Sequence, residues 1–63
     1  MDKDERKFRI LWQGRTPGDF DWSVNEVAGE VHADLDTGIA MVMKVPVGGK
    51  ITDRDGDRYV RTV

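Results

Sequence analysis

Apolar residues recur at every second position near the start of the chain, where Phe8, Ile10 and Trp12 stand two residues apart. A two-residue period is typical of a strand with one buried face. The pattern therefore predicts a first strand over residues 7–13. A glycine ends this run, and the Thr-Pro-Gly-Asp turn that follows it indicates a long connecting loop over residues 14–26.

The next segment, residues 24–35, fits two different patterns. As a helix, it would begin with a capping box formed by Ser23 and Glu26, and its apolar residues would follow at helical spacing. As a strand, its apolar residues would alternate with polar ones. A glycine such as Gly29 inside a helix costs about 1 kcal/mol relative to alanine, and valines prefer strands. These preferences favour the strand, and the helix remains the alternative.

Two hairpins follow from the strand interpretation. Residues 35–39, Leu-Asp-Thr-Gly-Ile, have the form of a three-residue hairpin loop, which pairs the preceding strand with a strand over 39–45. Further on, Asp55-Gly56 predicts a two-residue type I′ turn between strands over 50–54 and 57–63. In that second hairpin, Thr52 is paired with Tyr59, and the tyrosine ring is expected to face away from the core.

Five short strands in 63 residues predict an all-β fold. We expect a small five-stranded barrel of the SH3-like or OB-like kind, or a curved antiparallel sheet. The helical interpretation gives instead a β-α-β-β-β arrangement with a helix at about 24–35. In either case the chain is expected to be a single small domain over residues 1–63, with residues 1–6 frayed. Such a fold does not by itself indicate a function.

Composition excludes several classes of protein. The chain has no cysteine, which excludes disulfides and thiolate metal sites. No apolar run approaches the roughly 20 residues that cross a bilayer, so no membrane association is expected. The first seven residues are highly charged and contain no apolar leader. On these grounds we expect a cytoplasmic protein.

Catalytic and metal-binding patterns are incomplete. Ser23 is the only serine and has no base near it in sequence, so no catalytic residue and no enzyme activity are expected. The acidic run over 53–57 resembles the start of a calcium loop, but Arg58 stands where that loop needs glycine. Glu30, His32 and Asp34 would share one strand face, without a second histidine. Accordingly, no metal and no cofactor are expected.

Charge is distributed unevenly along the chain. Residues 16–43 contain six acidic side chains and no Lys or Arg, whereas both ends are mildly basic. Within the acidic part, acids alternate with large aromatic rings, a composition enriched at protein interfaces. We therefore expect a non-catalytic binding module that acts as an adaptor, inhibitor or regulatory subunit and that could also associate with itself. Its candidate contact residues are Asp19, Phe20, Asp21 and Trp22.

The alternative function is binding of single-stranded nucleic acid or RNA through the basic ends. In small barrels the first and last strands are often adjacent, which would collect cations around one exposed aromatic ring. Cations that follow phosphates and a ring that stacks on a base are the minimum that such a binder needs. The candidate residues are Lys7, Arg9, Arg15, Lys50, Arg58, Tyr59 and Arg61.

Overall fold

A computed structural model describes residues 6–19 and 21–63, and it contains one antiparallel sheet and two helices. The strand order is β2-β1-β4-β3. Both helices contribute to a core on one face of this sheet. Fraying was expected for residues 1–6. Of these, residues 1–5 lie outside the described residues, so that part of the prediction is not tested. In chain order the elements are β1 (Phe8–Trp12), β2 (Thr16–Pro17), α1 (Val24–Val31), α2 (Leu35–Met43), β3 (Lys50–Thr52) and β4 (Arg58–Arg61).

The prediction of an all-β fold, either a five-stranded barrel or a curved antiparallel sheet, is wrong, because residues 24–31 and 35–43 form helices instead of a hairpin. The capping box decides the start of α1: the Ser23 hydroxyl accepts from the backbone N–H of Glu26 at 3.2 Å, and the Glu26 carboxylate accepts from the N–H of Ser23 at 2.9 Å. Gly29 lies on the exposed side of α1, where it does not weaken the packing. The alternative with a helix at about 24–35 comes closer, although α1 ends at Val31.

Neither interpretation predicts α2. The segment taken for a hairpin loop is the first turn of this helix, and Asp34 is its N-cap. The Asp34 carboxylate accepts from the Thr37 hydroxyl at 2.6 Å and from the Thr37 backbone N–H at 2.9 Å. These two hydrogen bonds lower the pKa of Asp34 below its ordinary value of 3.8. An Asp-x-x-Thr sequence can open a helix as well as close a hairpin, and here it opens a helix.

The two helices pack against each other at a glycine. Gly38 of α2 is buried directly over the backbone of Ala28 in α1. A β-carbon added at Gly38 would lie 2.5 Å from the Ala28 carbonyl oxygen. Only a residue without a side chain permits this close approach. A glycine that looked like a turn residue is thus a helix-packing residue.

The core lies between the helices and one face of the sheet. Phe8 and Ile10 of β1 and Tyr59 of β4 point towards the helices and are almost completely buried. From α1 come four buried residues at helical spacing, Val24, Val27, Ala28 and Val31. The opposite face of the sheet has no helix over it in the described part of the chain, and we call it the open face.

The second predicted hairpin forms, but with a different register. Lys50 pairs with Val60 and Ile51 with Tyr59, one residue away from the expected pairing. The reason is a three-residue loop closed by a hydrogen bond from the Asp53 N–H to the Asp57 carbonyl at 2.9 Å, with Gly56 at a φ of 93°. A slip of one residue moves every side chain of a strand to the other face. Tyr59 is buried for this reason, contrary to expectation.

None of the helices in the described residues is long and apolar enough to traverse a bilayer.

The contact between α1 and α2 can be tested with two glycine substitutions. Gly38→Ala should lower the free energy of unfolding by about 1–3 kcal/mol, because the new methyl group meets the Ala28 backbone. Gly29→Ala is the matched control: an added β-carbon there meets nothing within 4 Å, and the change should raise stability by up to about 1 kcal/mol. Urea unfolding followed by circular dichroism measures both. Equal stability of Gly38→Ala and the parent would contradict the packing described here.

Candidate binding surfaces

Residues 16–19 and 21–22 lie along the edge of β1 opposite β4, but the segment does not pair evenly with β1. Gly18 donates its N–H to the Ile10 carbonyl at 2.9 Å, and Trp22 exchanges two backbone hydrogen bonds with Phe8, at 2.9 and 3.1 Å. From Gly18 to Trp22 the edge segment is four residues long, whereas the matching stretch of β1, from Ile10 to Phe8, is two residues long. This difference in length is a bulge to which Asp19 and Asp21 belong, and bulges change the direction in which side chains point. Asp19 and Asp21 are both exposed on it.

Asp19, Asp21 and Trp22 line an open cleft together with Glu26, and we call it the acidic cleft. Its volume is about 480 Å³. The bulge supplies the two aspartates, and the first turn of α1 supplies the glutamate. Three of the four residues predicted for protein contact are thus assigned here, while Phe20 lies outside the described residues. Glu26 was not predicted as a site residue, because the capping box indicates its place in the first turn of α1 but not that this turn lies beside the bulge.

Trp22 connects the acidic cleft to the core. Its ring is partly buried and meets the ring of Tyr59 edge-on, with 5.3 Å between centroids and 61° between planes. The Tyr59 hydroxyl in turn donates to the Asp53 carboxylate at 2.8 Å. The Tyr59 ring therefore supports Trp22 on its core side, while the exposed part of the Trp22 ring lines the acidic cleft. One side of the ring thus packs against the core, and the rest is available to the cleft.

The acidic run over 53–57 is used within the fold. Asp53 is buried, and one of its oxygens accepts the backbone N–H groups of Asp55 and Asp57, at 2.8 and 3.0 Å. Asp57 accepts the backbone N–H of Gln13 at 2.8 Å, which ties this loop to the β1–β2 turn. A two-residue turn at Asp55-Gly56 would pair Asp53 with Arg58 and Arg54 with Asp57; in the observed register Arg58 pairs with Thr52 instead. Local hydrogen bonds explain the repeated aspartates better than an incomplete calcium loop.

The supposed row of Glu30, His32 and Asp34 does not form, because these residues lie at the junction of two helices. The His32 ring accepts the backbone N–H of Asp34 at 2.9 Å through Nδ1. Glu30 instead approaches Asp53 and Asp55, and one oxygen atom of each lies within 4.8 Å of the others. The neighbouring Arg54 donates to the carbonyl of Glu30 at 3.4 Å. The absence of a bound metal remains a prediction.

The basic residues predicted for nucleic-acid contact are divided between two faces of the sheet. Arg9 and Arg58 alternate with the buried residues of β1 and β4, so their side chains lie on the open face. Lys50 is paired with Val60, which is itself paired with Arg9, and directly paired residues share a face. Lys50 therefore lies on the open face as well. Lys7 lies on the same side and lines a second cavity of about 400 Å³ with Arg9, Asp21, Thr62 and Val63. These four cations form what we call the basic face.

The other three predicted residues are not part of the basic face. Tyr59 is buried, so its ring cannot stack on a base. Arg61 points to the helix side and donates to the carbonyls of Val45 at 3.0 Å and Val63 at 2.9 Å. Arg15 lies in the exposed turn between β1 and β2.

Comparison with known proteins adds no further information: no family model matches the sequence, and neither a curated protein nor a solved structure matches it.

The Tyr59–Asp53 hydrogen bond gives a prediction about stability. Burial, and then the hydrogen bond to Asp53, raise the pKa of Tyr59 above its ordinary value of 10.0. Tyr59→Phe should lower the free energy of unfolding by about 1.5–3 kcal/mol at neutral pH, because a buried carboxylate oxygen loses its donor. Chemical unfolding of the variant and its parent measures this loss.

The same bond predicts the response to alkali. Above pH 10 the unfolded chain loses the phenol proton while the folded chain keeps it, so stability falls as pH rises. Tyr59→Phe should remove this part of the alkaline loss. Tyr59 is the only tyrosine, so ultraviolet absorbance of the phenolate reports on it alone. Ionisation of the folded protein close to pH 10 would contradict the contact.

Proposed function

We propose that this chain is a non-catalytic binding module that receives a cationic side chain of a protein partner in the acidic cleft. The observation that carries the proposal is the convergence of three carboxylates and a tryptophan on one cavity of about 480 Å³. An adaptor, inhibitor or regulatory subunit needs such a site and no reactive group. The proposal includes a cytoplasmic location, with which the lack of cysteine agrees.

The chemistry of the acidic cleft selects arginine or lysine. Carboxylates accept the N–H groups of a guanidinium in short, charge-assisted hydrogen bonds, and an indole ring attracts a cation placed over its face. Glu26 already accepts one backbone N–H through Oε1, so Asp19 and Asp21 are the principal acceptors. The surrounding segment, acidic from residue 16 to 43, would also attract a basic partner from a distance.

A peptide titration tests this proposal. The probe is an arginine-rich octapeptide, with a citrulline analogue that keeps its shape and loses its charge. Calorimetry measures affinity, and tryptophan fluorescence in a Trp12→Phe background reports on Trp22. Asp21→Asn should weaken binding of the arginine peptide about 10- to 100-fold, which corresponds to the loss of one charge-assisted hydrogen bond, about 1.5–3 kcal/mol.

The matched control is Asp36→Asn, which removes the same charge from an exposed position on α2. It should leave affinity within about twofold, because a distant exposed charge acts only through screened electrostatics. Equal weakening by both variants would mean that the peptide responds to net charge and not to the cleft. Equal binding of the arginine and citrulline peptides would also contradict the proposal.

A second candidate function, binding of single-stranded nucleic acid, is supported by the basic face. Lys7, Arg9, Lys50 and Arg58 lie on the sheet surface that no helix covers in the described residues. Tyr59 does not contribute to it, so this surface lacks the stacking ring that such binders use. Its binding would depend on phosphate contacts and would be steeply sensitive to salt. For this reason it ranks second.

Salt dependence tests the basic face. With a single-stranded thymidine oligonucleotide of about 12 nucleotides, Lys50→Gln should reduce the slope of log affinity against log salt by about 0.7, the value of one lost phosphate contact. Lys44→Gln is the control, because Lys44 is the C-cap of α2 in the helical layer. Fluorescence anisotropy at several salt concentrations measures both. Binding too weak to detect at low salt would remove this candidate.

A further inference from the structure

Helix α2 carries more apolar surface than the core covers. Only Gly38 and Val42 of its nine residues are buried. Leu35 is 46% exposed and Met43 is 39% exposed, and Ile39 lies partly buried between them. These three residues are spaced by four, so they form one continuous line along the helix, which we call the apolar ridge. The apolar ridge lies next to the line formed by the two buried residues, Gly38 and Val42, and its two ends are exposed to solvent.

The spacing of the apolar ridge is self-complementary. Leu35 and Met43 stand at equal distances on either side of Ile39. If two copies meet with a two-fold axis at Ile39, Leu35 of one copy contacts Met43 of the other, and this contact occurs twice. A two-fold interface requires such a patch, because each side presents the same surface. Rows of residues spaced by four are also the rows that interlock in the commonest form of helix packing.

Charges at the two ends of α2 select an antiparallel arrangement. Asp34 and Asp36 are at the N-terminal end, and Lys44 is at the C-terminal end. In an antiparallel pair, the acidic end of one helix lies near Lys44 of the other, and the helix dipoles are opposed favourably. A parallel pair would place like charges together. The Asp34 carboxylate already accepts from Thr37, so Asp36 is the acid available to the partner's lysine.

We propose that α2 is a homodimer interface, in which the apolar ridges of two copies pack antiparallel around a two-fold axis at Ile39. The occupant is a second copy because the ridge matches itself in both spacing and charge. A contact built on one helix of nine residues is smaller than a standard interface. We therefore expect a reversible dimer with a dissociation constant in the range of about 10 μM to 1 mM. This proposal does not depend on the acidic cleft.

Sedimentation equilibrium over a wide range of protein concentration tests the dimer. Met43→Glu should raise the dissociation constant at least about tenfold, because it places a charge where the ridges meet. Met41→Glu is the matched control: Met41 is 41% exposed on the same helix, but it lies on the far side of the buried line. It should leave the dissociation constant within about twofold. Circular dichroism establishes that both variants remain folded.

A charge exchange tests the orientation. Asp36→Lys should weaken the dimer, and adding Lys44→Glu to it should restore the dimer, because the attraction between the two ends is reversed and not removed. A monomer at millimolar concentration would overturn the proposal, as would equal weakening by Met41→Glu and Met43→Glu. Association that persists in Met43→Glu and is lost in Asp21→Lys would also overturn it, since this would indicate head-to-tail contact through the acidic cleft instead of contact through α2.

Discussion

The hydrogen bond from Tyr59 to Asp53 is the constraint on which the other features depend. A phenol hydroxyl buried without a partner is costly, and the Asp53 carboxylate supplies the acceptor at 2.8 Å. The pair forms in the observed register of β3 and β4, which the three-residue loop sets and which turns Tyr59 towards the helices. The same register places Arg58 and Lys50 on the open face. The register that brings these two residues together therefore also determines which charges lie on the open face.

The effect extends to the acidic cleft. The ring of Tyr59 supports Trp22 edge-on, and the backbone of Trp22 is paired with Phe8. Because both ends of the bulge are joined to β1, its two aspartates lie beside a tryptophan that would already be ordered before the proposed partner binds. A site held in this way loses little side-chain entropy on binding. The residues that stabilise the core are therefore also the residues that hold the proposed binding site.

Sequence reasoning succeeds where local signals act alone and fails where tertiary contacts decide. The alternation of Phe8, Ile10 and Trp12 correctly predicts β1, and the capping box correctly describes the helical alternative. The helix α2 was missed because a short apolar run fits both periods, and its stability comes from packing against Ala28, which no local pattern reveals. Gly38 has no side chain, and this property fits a tight turn and a close contact between two helices equally well.

The candidate sites show the same division. The acidic segment around Asp19 was found from composition, since acids and rings close in sequence stay close in space. The basic face was predicted only in part, because one extra residue in the loop over 53–57 exchanges the faces of the hairpin and removes Tyr59 and Arg61 from it. A slip of this kind cannot be recognised from Asp55-Gly56 alone, since two- and three-residue loops use the same residues.

The strong negative charge of residues 16–43 has two separate origins in the folded chain. Glu26 and Asp34 accept hydrogen bonds at helix starts, and Asp36 lies in the first turn of α2, where the helix dipole favours an acid. Those charges are explained by the helices themselves. Asp19 and Asp21 lie outside the helices, on a bulge where both are exposed. Helix capping and the helix dipole therefore do not explain their charges, and this separates a candidate recognition site from charge that serves the helix starts.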